Sequence, residues 1–514
     1  MLGEPVAFGP FLLNPANGTL FRDGELVAVG QRGAMLLGAL LKNPGQVRTK
    51  AELMDAAWPG TAVEGSNLSV QIASLRKLLG PAPDGGEWIA TIPRVGYRFV
   101  GQSQVTSTSD PRSAPVMPAL AVLPFQNLSG DPEQDYFADG IVEDIITALS
   151  RFKSFAVIAR NSSFVYKGRA VDVRQVAREL GVRYVLEGSV RRASERLRIT
   201  AQLVEAAGGA HLWADRFDGT VQDIFDVQDR ITESVVGVIE PQIRRAEIER
   251  SRRKRPENLD AYDLYLRALA KIYVAWQPEE NAEGYALVMQ AVALEPDYAP
   301  FLGSACWSLE YRISHGWPTL TGDDRTICLD LAHRALANAH GDATVLAQCG
   351  YALLAIGRHY DRGMQIIANA VEANPNNHPV VVFAAIAKLH CGDLEESLAF
   401  SRRAILMSPG DPTAPVPLTA ISHVYMALGN YEEALQAAER SLAVNPSFNP
   451  TLWMLVAANA QLGRLDAARR WLVKFQALVP GVTIARIRQG QPAYDPSRMA
   501  AILEGLRLAG LEEG

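Results

Sequence analysis

Cysteine is scarce in this chain: four in 514 residues, Cys306, Cys328, Cys349 and Cys391, with no C-x-x-C pair among them. Such spacing argues against a thiolate metal site or a disulfide framework and favours small hydrophobes buried in a reducing compartment. Long apolar runs are lacking too. None approaches the roughly 20 residues that a bilayer span requires, and the N-terminus lacks the charged, apolar and small-residue order of a signal peptide, so no membrane contact and a cytoplasmic location are expected. Charge of one sign is also missing: 50 Lys and Arg face 56 Asp and Glu, for a net charge of −6. That balance excludes a generally basic nucleic-acid coat protein, and any nucleic-acid contact must be local. Absent as well are G-x-x-x-x-G-K-[ST], G-x-G-x-x-G after a strand, H-E-x-x-H and G-x-S-x-G. No enzyme activity, cofactor or metal is expected.

What is present concentrates between Asn43 and Val100. Thr49 is a capping-type residue, and Lys50 to Trp58 follows it with Leu53, Ala56 and Ala57 near helical spacing, ended by Pro59-Gly60. A second helix is predicted from about Ser66 to Leu79, where Leu68, Ile72, Leu75 and Leu79 form one buried stripe. Asn67, Gln71, Ser74 and Lys77 share another face, with amide, hydroxyl and cationic groups that base edges and phosphates accept. Trp88 to Thr91 and Gly96 to Val100 read as strands around Pro93-Arg94-Val95, a hairpin with a cation at its tip. Such a tip can enter a minor groove. Taken singly, Asn67, Gln71 and Arg94 are ordinary solvated residues; their joint placement favours DNA contact.

The phrases NPGQVRTKAELMDAAWPG, LRKLLG and TIPRVGYRFV resemble the OmpR-type winged-helix domain of response regulators and of CadC-like regulators, over roughly the first 100 residues. The resemblance implies a small antiparallel sheet ahead of the helices, and Val6 to Leu13, Thr19 to Arg22 and Glu25 to Val29 alternate suitably, with Asn17-Gly18 and Asp23-Gly24 as turns. It also implies double-stranded DNA as partner, with Asn67, Gln71 and Ser74 on bases, Arg76 and Lys77 on phosphates and Arg94 in the wing. The family often carries extra arginines where this chain has Ser66, Ala73 and Ser74, which implies fewer or weaker base contacts. Residues 1–100 hold nine Lys and Arg (22, 32, 42, 48, 50, 76, 77, 94 and 98) against eight Asp and Glu (4, 23, 25, 52, 55, 64, 84 and 87). A nearly neutral head releases few counterions, so it should bind weakly alone and depend on dimerisation or clustering.

Residues 102–118, rich in Ser, Thr and Pro, read as a flexible tether of about 60 Å at ~3.3 Å per residue. Beyond it, strands at Ala119 to Phe125, Phe155 to Ala159, Tyr184 to Arg191, Arg196 to Glu205 and Ala210 to Asp218 alternate with helices at Phe137 to Arg151, Asp172 to Leu180 and Val221 to Ile239. An α/β domain with a mixed sheet is expected over 119–240. Its phrases AVLPFQNLSGDPEQDYFADGI and GVRYVLEGSVRR resemble the TolB N-terminal-like domain, which implies interaction or sensing. Asp135, Asp139, Glu143 and Asp144 offer carboxylates for a divalent ion, but negative charge early in a helix is favoured by the macrodipole alone. His211, beside Trp213, reads as a packed residue rather than a catalytic one. Residues 241–258 form a basic helical connector, better read as a solvated face than as a second phosphate contact.

From Leu259 the chain is helical and repetitive. Gly357, Gly392, Gly429 and Gly463, and Pro375, Pro409, Pro446 and Pro480, recur at the tetratricopeptide period. The stretch YMALGNYEEALQAAERSLAVNPSFNP closely resembles that family. The glycines are expected where two helices of a unit cross closely and the prolines where a helix must end. The fold class is therefore multidomain α+β: a winged helix-turn-helix over 1–101, the tether, the α/β domain, the connector, an α-solenoid over 259–482 and a helical cap over 483–514. A protein or peptide is expected in the solenoid groove, with homo-oligomerisation and a small-molecule effector left open. The expected function is DNA-binding transcription regulation without a receiver domain. Its alternatives are a protein-interaction scaffold, or a metabolite sensor whose winged helix contacts protein.

Overall fold

A computed structural model of the chain describes residues 6–514 except 15–18, 23–24, 28, 30, 43, 58–64, 83–85, 94, 101–103, 106–116, 130–134, 170, 194–195, 221–223, 255–258, 274–276, 409–412 and 492–493. The described residues form two compact units, 1–114 with 171–182, and 115–170 with 183–514.

The first unit opens with β1 (Val6–Phe8), β2 (Phe11–Asn14), β3 (Thr19–Arg22) and β4 (Glu25–Val27). Val6 to Leu13, expected as one strand, is two, because Gly9 turns the chain at φ +52°. The predicted turns Asn17-Gly18 and Asp23-Gly24 lie outside the described residues. Helix α1 (Gln31–Leu41), strand β5 (Val47–Thr49), helices α2 (Lys50–Ala57) and α3 (Gly65–Leu79), and strands β6 (Ile89–Ile92) and β7 (Gly96–Phe99) complete the head. Strand β8 (Gln104–Val105) falls inside the stretch read as a tether and pairs with β1, giving the sheet order β4-β3-β2-β1-β8. The rest of that stretch up to Pro115 and Val116 lies outside the described residues. Phe8, Phe11, Trp88 and Phe99 stack and abut at centroid distances of 5.2–6.1 Å, joining the first sheet to the wing.

In the second unit β9 (Ala119–Val122), β10 (Gln126–Asn127) and β11 (Ala156–Val157) run parallel to their neighbours, while β12 (Tyr184–Ala193), β13 (Arg196–Glu205) and β14 (Ala210–Thr220) form an antiparallel meander. The order β11-β9-β12-β13-β14 is the expected mixed sheet. Leu197, Ile199, Ala201 and Leu203 alternate inward along β13 and share a core with α4 (Asp135–Leu149) and α7 (Ile224–Arg252). Helix α5 (Arg160–Ser163) follows β11; the next helix in the chain, α6 (Val173–Leu180), belongs to the first unit and is capped by Asp172, whose carboxylate accepts from Arg174 N at 2.9 Å. His211 is exposed, not packed. It lies on β14 at the sheet edge, where the register slips opposite Leu203 and Val204.

The closing helix and the basic run as far as Arg252 are one element. Helix α7 passes through Pro241 without ending. One backbone hydrogen bond is forfeited there, but Ile243, Ala246 and Glu247 are held on the far side. The basic residues are largely paired: Arg244 with Glu240, Arg250 with Glu247 and Asp263, Arg252 with Glu249, Lys254 with Asp260 and Asp263. Glu247, 1% exposed, also accepts from Arg183 and from Tyr184 Oη at 2.7 Å.

The solenoid is built from helix pairs α8 (Ala261–Ile272) and α9 (Pro278–Leu294), α10 (Ala299–Ser314) and α11 (Asp324–Ala337), α12 (Ala343–Ala355) and α13 (Tyr360–Ala373), α14 (His378–His390) and α15 (Leu394–Met407), α16 (Pro415–Ala427) and α17 (Tyr431–Val444), and α18 (Asn449–Gln461) and α19 (Leu465–Leu478). Helices α20 (Ile484–Gly490) and α21 (Ala500–Ala509) follow. Pro375, Pro446 and Pro480 stand just past α13, α17 and α19; Pro409 lies outside the described residues. Gly357 is crowded as expected, an added Cβ standing 2.7 Å from Leu353 O and 3.3 Å from a Leu329 methyl, but the later periodic glycines act differently from expectation. A Cβ on Gly429 or Gly463 would meet nothing within 4 Å, and both turn the chain at φ +77° and +74°. They provide a left-handed stop between helices of a unit. The close crossings fall on glycines off the period, such as Gly363, whose added Cβ would stand 2.7 Å from Gly350 O. Cys306, Cys328 and Cys349 are buried as expected, yet far apart only in sequence: the sulfurs of Cys306 and Cys328 are 3.8 Å apart.

Candidate nucleic-acid interface

Helix α2 starts where predicted. Thr49 Oγ1 accepts from Glu52 N at 3.2 Å while the Glu52 carboxylate accepts from Thr49 N at 2.8 Å, a reciprocal capping box. The Thr49 bonds hold the Glu52 carboxyl below the usual range. Arg32 of α1 donates to Ala57 O at the other end of α2.

Helix α3 buries Leu68, Ile72, Leu75 and Leu79 at 0–2% exposure, the stripe read from the sequence. With that face fixed, Asn67, Ser74 and Lys77 are exposed and Gln71 is half-buried at the margin. Val70 was not singled out from the sequence, although its position three residues from Asn67 and four from Ser74 puts it at the centre of the outer face. It is 64% exposed. An apolar side chain there is suited to a thymine methyl group.

Arg76 occupies a different place from Lys77. Its Nε and Nη2 donate to Ile89 O at 2.9 and 2.6 Å, Nη2 donates to Thr91 Oγ1 at 2.8 Å, and Nε is 3.0 Å from the Glu87 carboxylate. Ser69 Oγ approaches Tyr97 Oη at 3.4 Å. These bonds tie α3 to both strands of the hairpin, so Arg76, expected on phosphate, braces the wing. Arg94 lies outside the described residues, but its flanks are held: Val95 N donates to Ile92 O at 3.1 Å, and Val95 O accepts from Lys50 N at 3.3 Å. Replacing Arg76 with Gln should cost the head about 2 kcal/mol, the scale of charged hydrogen bonds, read as a lower thermal midpoint with α3 still helical.

The carboxylates of the central domain are engaged within it. Asp135 accepts from Asn127 at 2.7 Å, Asp139 from Lys167 at 2.6 Å, Asp144 from Gln228, and Glu143 lies 3.5 Å from Arg160. Among the described residues no group of three or more His, Cys, Asp or Glu could hold a metal ion, and no helix is long and apolar enough to cross a membrane.

A winged helix with a polar outer face on its second helix, followed by an α/β domain and a solenoid, is a domain order that resembles OmpR-type, CadC-like regulators with tetratricopeptide repeats. Residues 24–99 match the family "Transcriptional regulatory protein, C terminal", 117–234 match "HilA/YgeH-like transcriptional regulator, second domain", and 417–448 match "Tetratricopeptide repeat". The second match covers the stretch that resembles the TolB N-terminal-like domain. The chain is similar to Putative adenylate cyclase 3 of Rhizobium meliloti, at 44% identity over 44% of this chain and 38% of that protein. It is also similar to Transcriptional regulator HilA of Salmonella typhimurium, at 26% identity over 36% of this chain and 32% of that one. The chain thus spans less than two fifths of the length of either relative. Among solved structures, the DNA-binding domain of Escherichia coli CadC aligns at 26% identity and a TM-score of 0.19, covering 21% of this chain and all of that domain.

Proposed function

We propose that the chain is a DNA-binding transcription regulator whose head docks α3 in a major groove. The observation that carries this reading is the solvated face of α3, with Asn67, Val70 and Ser74 presented outward by a helix whose opposite face is fully buried. Asn67, Gln71 and Ser74 read base edges, Val70 packs on a thymine methyl, Lys77 takes a phosphate, and Arg94 enters the adjoining minor groove. Arg76 acts through the wing. Because the head is nearly neutral, clustering of two heads on tandem half-sites supplies the avidity that one lacks. A head that reads DNA works in the cytoplasm, and the solenoid contributes a protein-binding surface.

The relative named as a putative cyclase does not redirect this reading. The HilA-like match spans the central domain itself, and the acidic side chains there are taken up by Asn127, Lys167, Gln228 and Arg160.

The test is to sequence genomic fragments retained by the purified chain beside an Arg94→Ala/Gln71→Ala variant. A shared motif, lost or weakened by at least tenfold in the variant, is expected. Retention without an enriched motif, or unchanged by the substitutions, would overturn the reading surface.

A further inference from the structure

Two stretches of the chain's own C-terminal segment, 489–491 and 494–498, lie against the solenoid. Arg358 donates to Gln491 O at 2.9 Å and Gln489 O at 3.1 Å, Tyr494 meets Tyr360 edge-on at 5.2 Å, and Arg498 Nη1 donates to His423 Nε2 at 2.9 Å. Arg498 is 3% exposed. Between the first helices of successive pairs lies a half-open chamber, lined also by Gln491 of the C-terminal segment and Arg244 of α7. The cavity volume is about 170 Å³, whereas one water needs only ~10–15 Å³.

The walls are aromatic, with Trp307, Tyr311, Tyr351, Phe383, Phe448 and Trp453 among them. Three polar groups there are incompletely used. His390 is 7% exposed; its Nε2 meets Tyr351 Oη at 3.0 Å and its Nδ1 has no partner. His315 donates from Nδ1 to Tyr311 O at 2.8 Å and is left with an unpartnered Nε2 acceptor. Glu310 is 3% exposed, and its bonded neighbour is a neutral hydroxyl, Ser314 Oγ at 2.5 Å. The cations nearby are answered otherwise: Arg244 lies 3.6 Å from Glu240 and over the Tyr273 ring, and Arg498 has Asp495 as counter-charge. Burial pushes the Glu310 carboxyl up to about 7, with no cation acting against it.

We propose that this chamber binds a small organic amine with an aromatic body, its ammonium group seated at Glu310 and its rings on the chamber walls. The chemistry follows from the lining. Ring faces attract cations, a dry apolar body releases water on burial, and a buried carboxylate lacking a cation gains most from a ligand that brings one. The inference concerns the solenoid alone and is read without DNA, so its failure is distinct from failure of the proposed DNA-binding function.

Calorimetric titration of the full chain at pH 7 with tryptamine, its neutral counterpart 3-ethylindole and the acid indole-3-propionate tests it, each in two buffers of different ionisation heat. Tryptamine is expected to bind at least tenfold more tightly than either analogue. It should also release up to about half a proton, since a carboxyl titrating near 7 is half-protonated there. Glu310→Gln keeps the shape and the neutral state; it should abolish both the preference and the proton release while leaving 3-ethylindole affinity unchanged. No binding of any probe, equal binding of the neutral or acidic probe, or an unaltered preference in Glu310→Gln would each overturn the proposal. The proton count on the unsubstituted chain stands even if the variant fails to fold.

Discussion

Lowering the pH from 6 to 5 should destabilise the solenoid by about 2 kcal/mol, read as a lower urea midpoint by tryptophan fluorescence. Burial, against a backbone bond to Tyr311, pulls His315 down to about 4. Burial and then the Arg498 charge hold His390 and His423 well below the usual imidazole range. In the unfolded chain these rings take a proton near 6.5. Their stabilisation is therefore complete above that pH and is lost as pH falls toward the folded values, at up to ~1.4 kcal/mol per unit for each ring. Glu310 works in the opposite sense. Its folded value of about 7 lies above the ordinary carboxyl value, so it favours folding as pH falls and offsets roughly one of the three histidines. Burial also raises the Asp342 and Glu295 carboxyls, which act in the same sense as Glu310 and reduce the net loss further. His390→Gln or His423→Gln should flatten the slope by about a third of the histidine total, whereas a midpoint equal at pH 6 and 5 would show that the rings are protonated in the fold.

Replacing Gly96 with Ala should be the most damaging single change in the head, costing about 3–5 kcal/mol and abolishing retention of DNA fragments. An added Cβ would overlap the carbonyl oxygen of Arg48 and stand 2.8 Å from its carbon and 2.9 Å from Thr49 Cα. Backbone cannot yield as a side-chain tip can, so β5 must part from β7 along Val47↔Arg98, Arg48↔Tyr97 and Thr49↔Gly96. Thr49 also caps α2, and overpacking is joined there by lost ladder bonds and a disturbed cap. Circular dichroism of the remaining helices should change little. A variant that keeps both its melting midpoint and its DNA motif would contradict the register of this three-stranded sheet.

Local chemistry made much of this architecture legible. The α3 stripe, the Thr49 cap, the β13 alternation and the Gly429 unit each follow from a few neighbouring residues. Where the sequence misled, a distant contact or a backbone angle decided. The closing helix was expected to end at Ile239, but packing on both sides carries α7 through Pro241 to Arg252. The periodic glycines suggested close crossings, but positive φ at Gly429 and Gly463 is what that position demands. Arg76 looked like a phosphate ligand until the hairpin carbonyl of Ile89 came within reach. The seating of the C-terminal segment on the solenoid was not readable, because its contacts join Arg358 to Gln491 and His423 to Arg498 across long sequence separations with no motif to mark them.

Helix α7 carries a consequence for how the second unit holds together. One end buries Ile231, Val235, Val236 and Ile239 under the sheet, and the other binds α8 through Ser251 Oγ on Asp263 O at 3.0 Å. From the sheet end, Glu233 meets Arg403 of α15 at 3.1 Å. A single rod that is a wall of one core and a buttress of another makes the two melt as one foldon. Damage to the sheet is thus felt as slackness in the first repeats, and a change in the repeats as strain on the sheet.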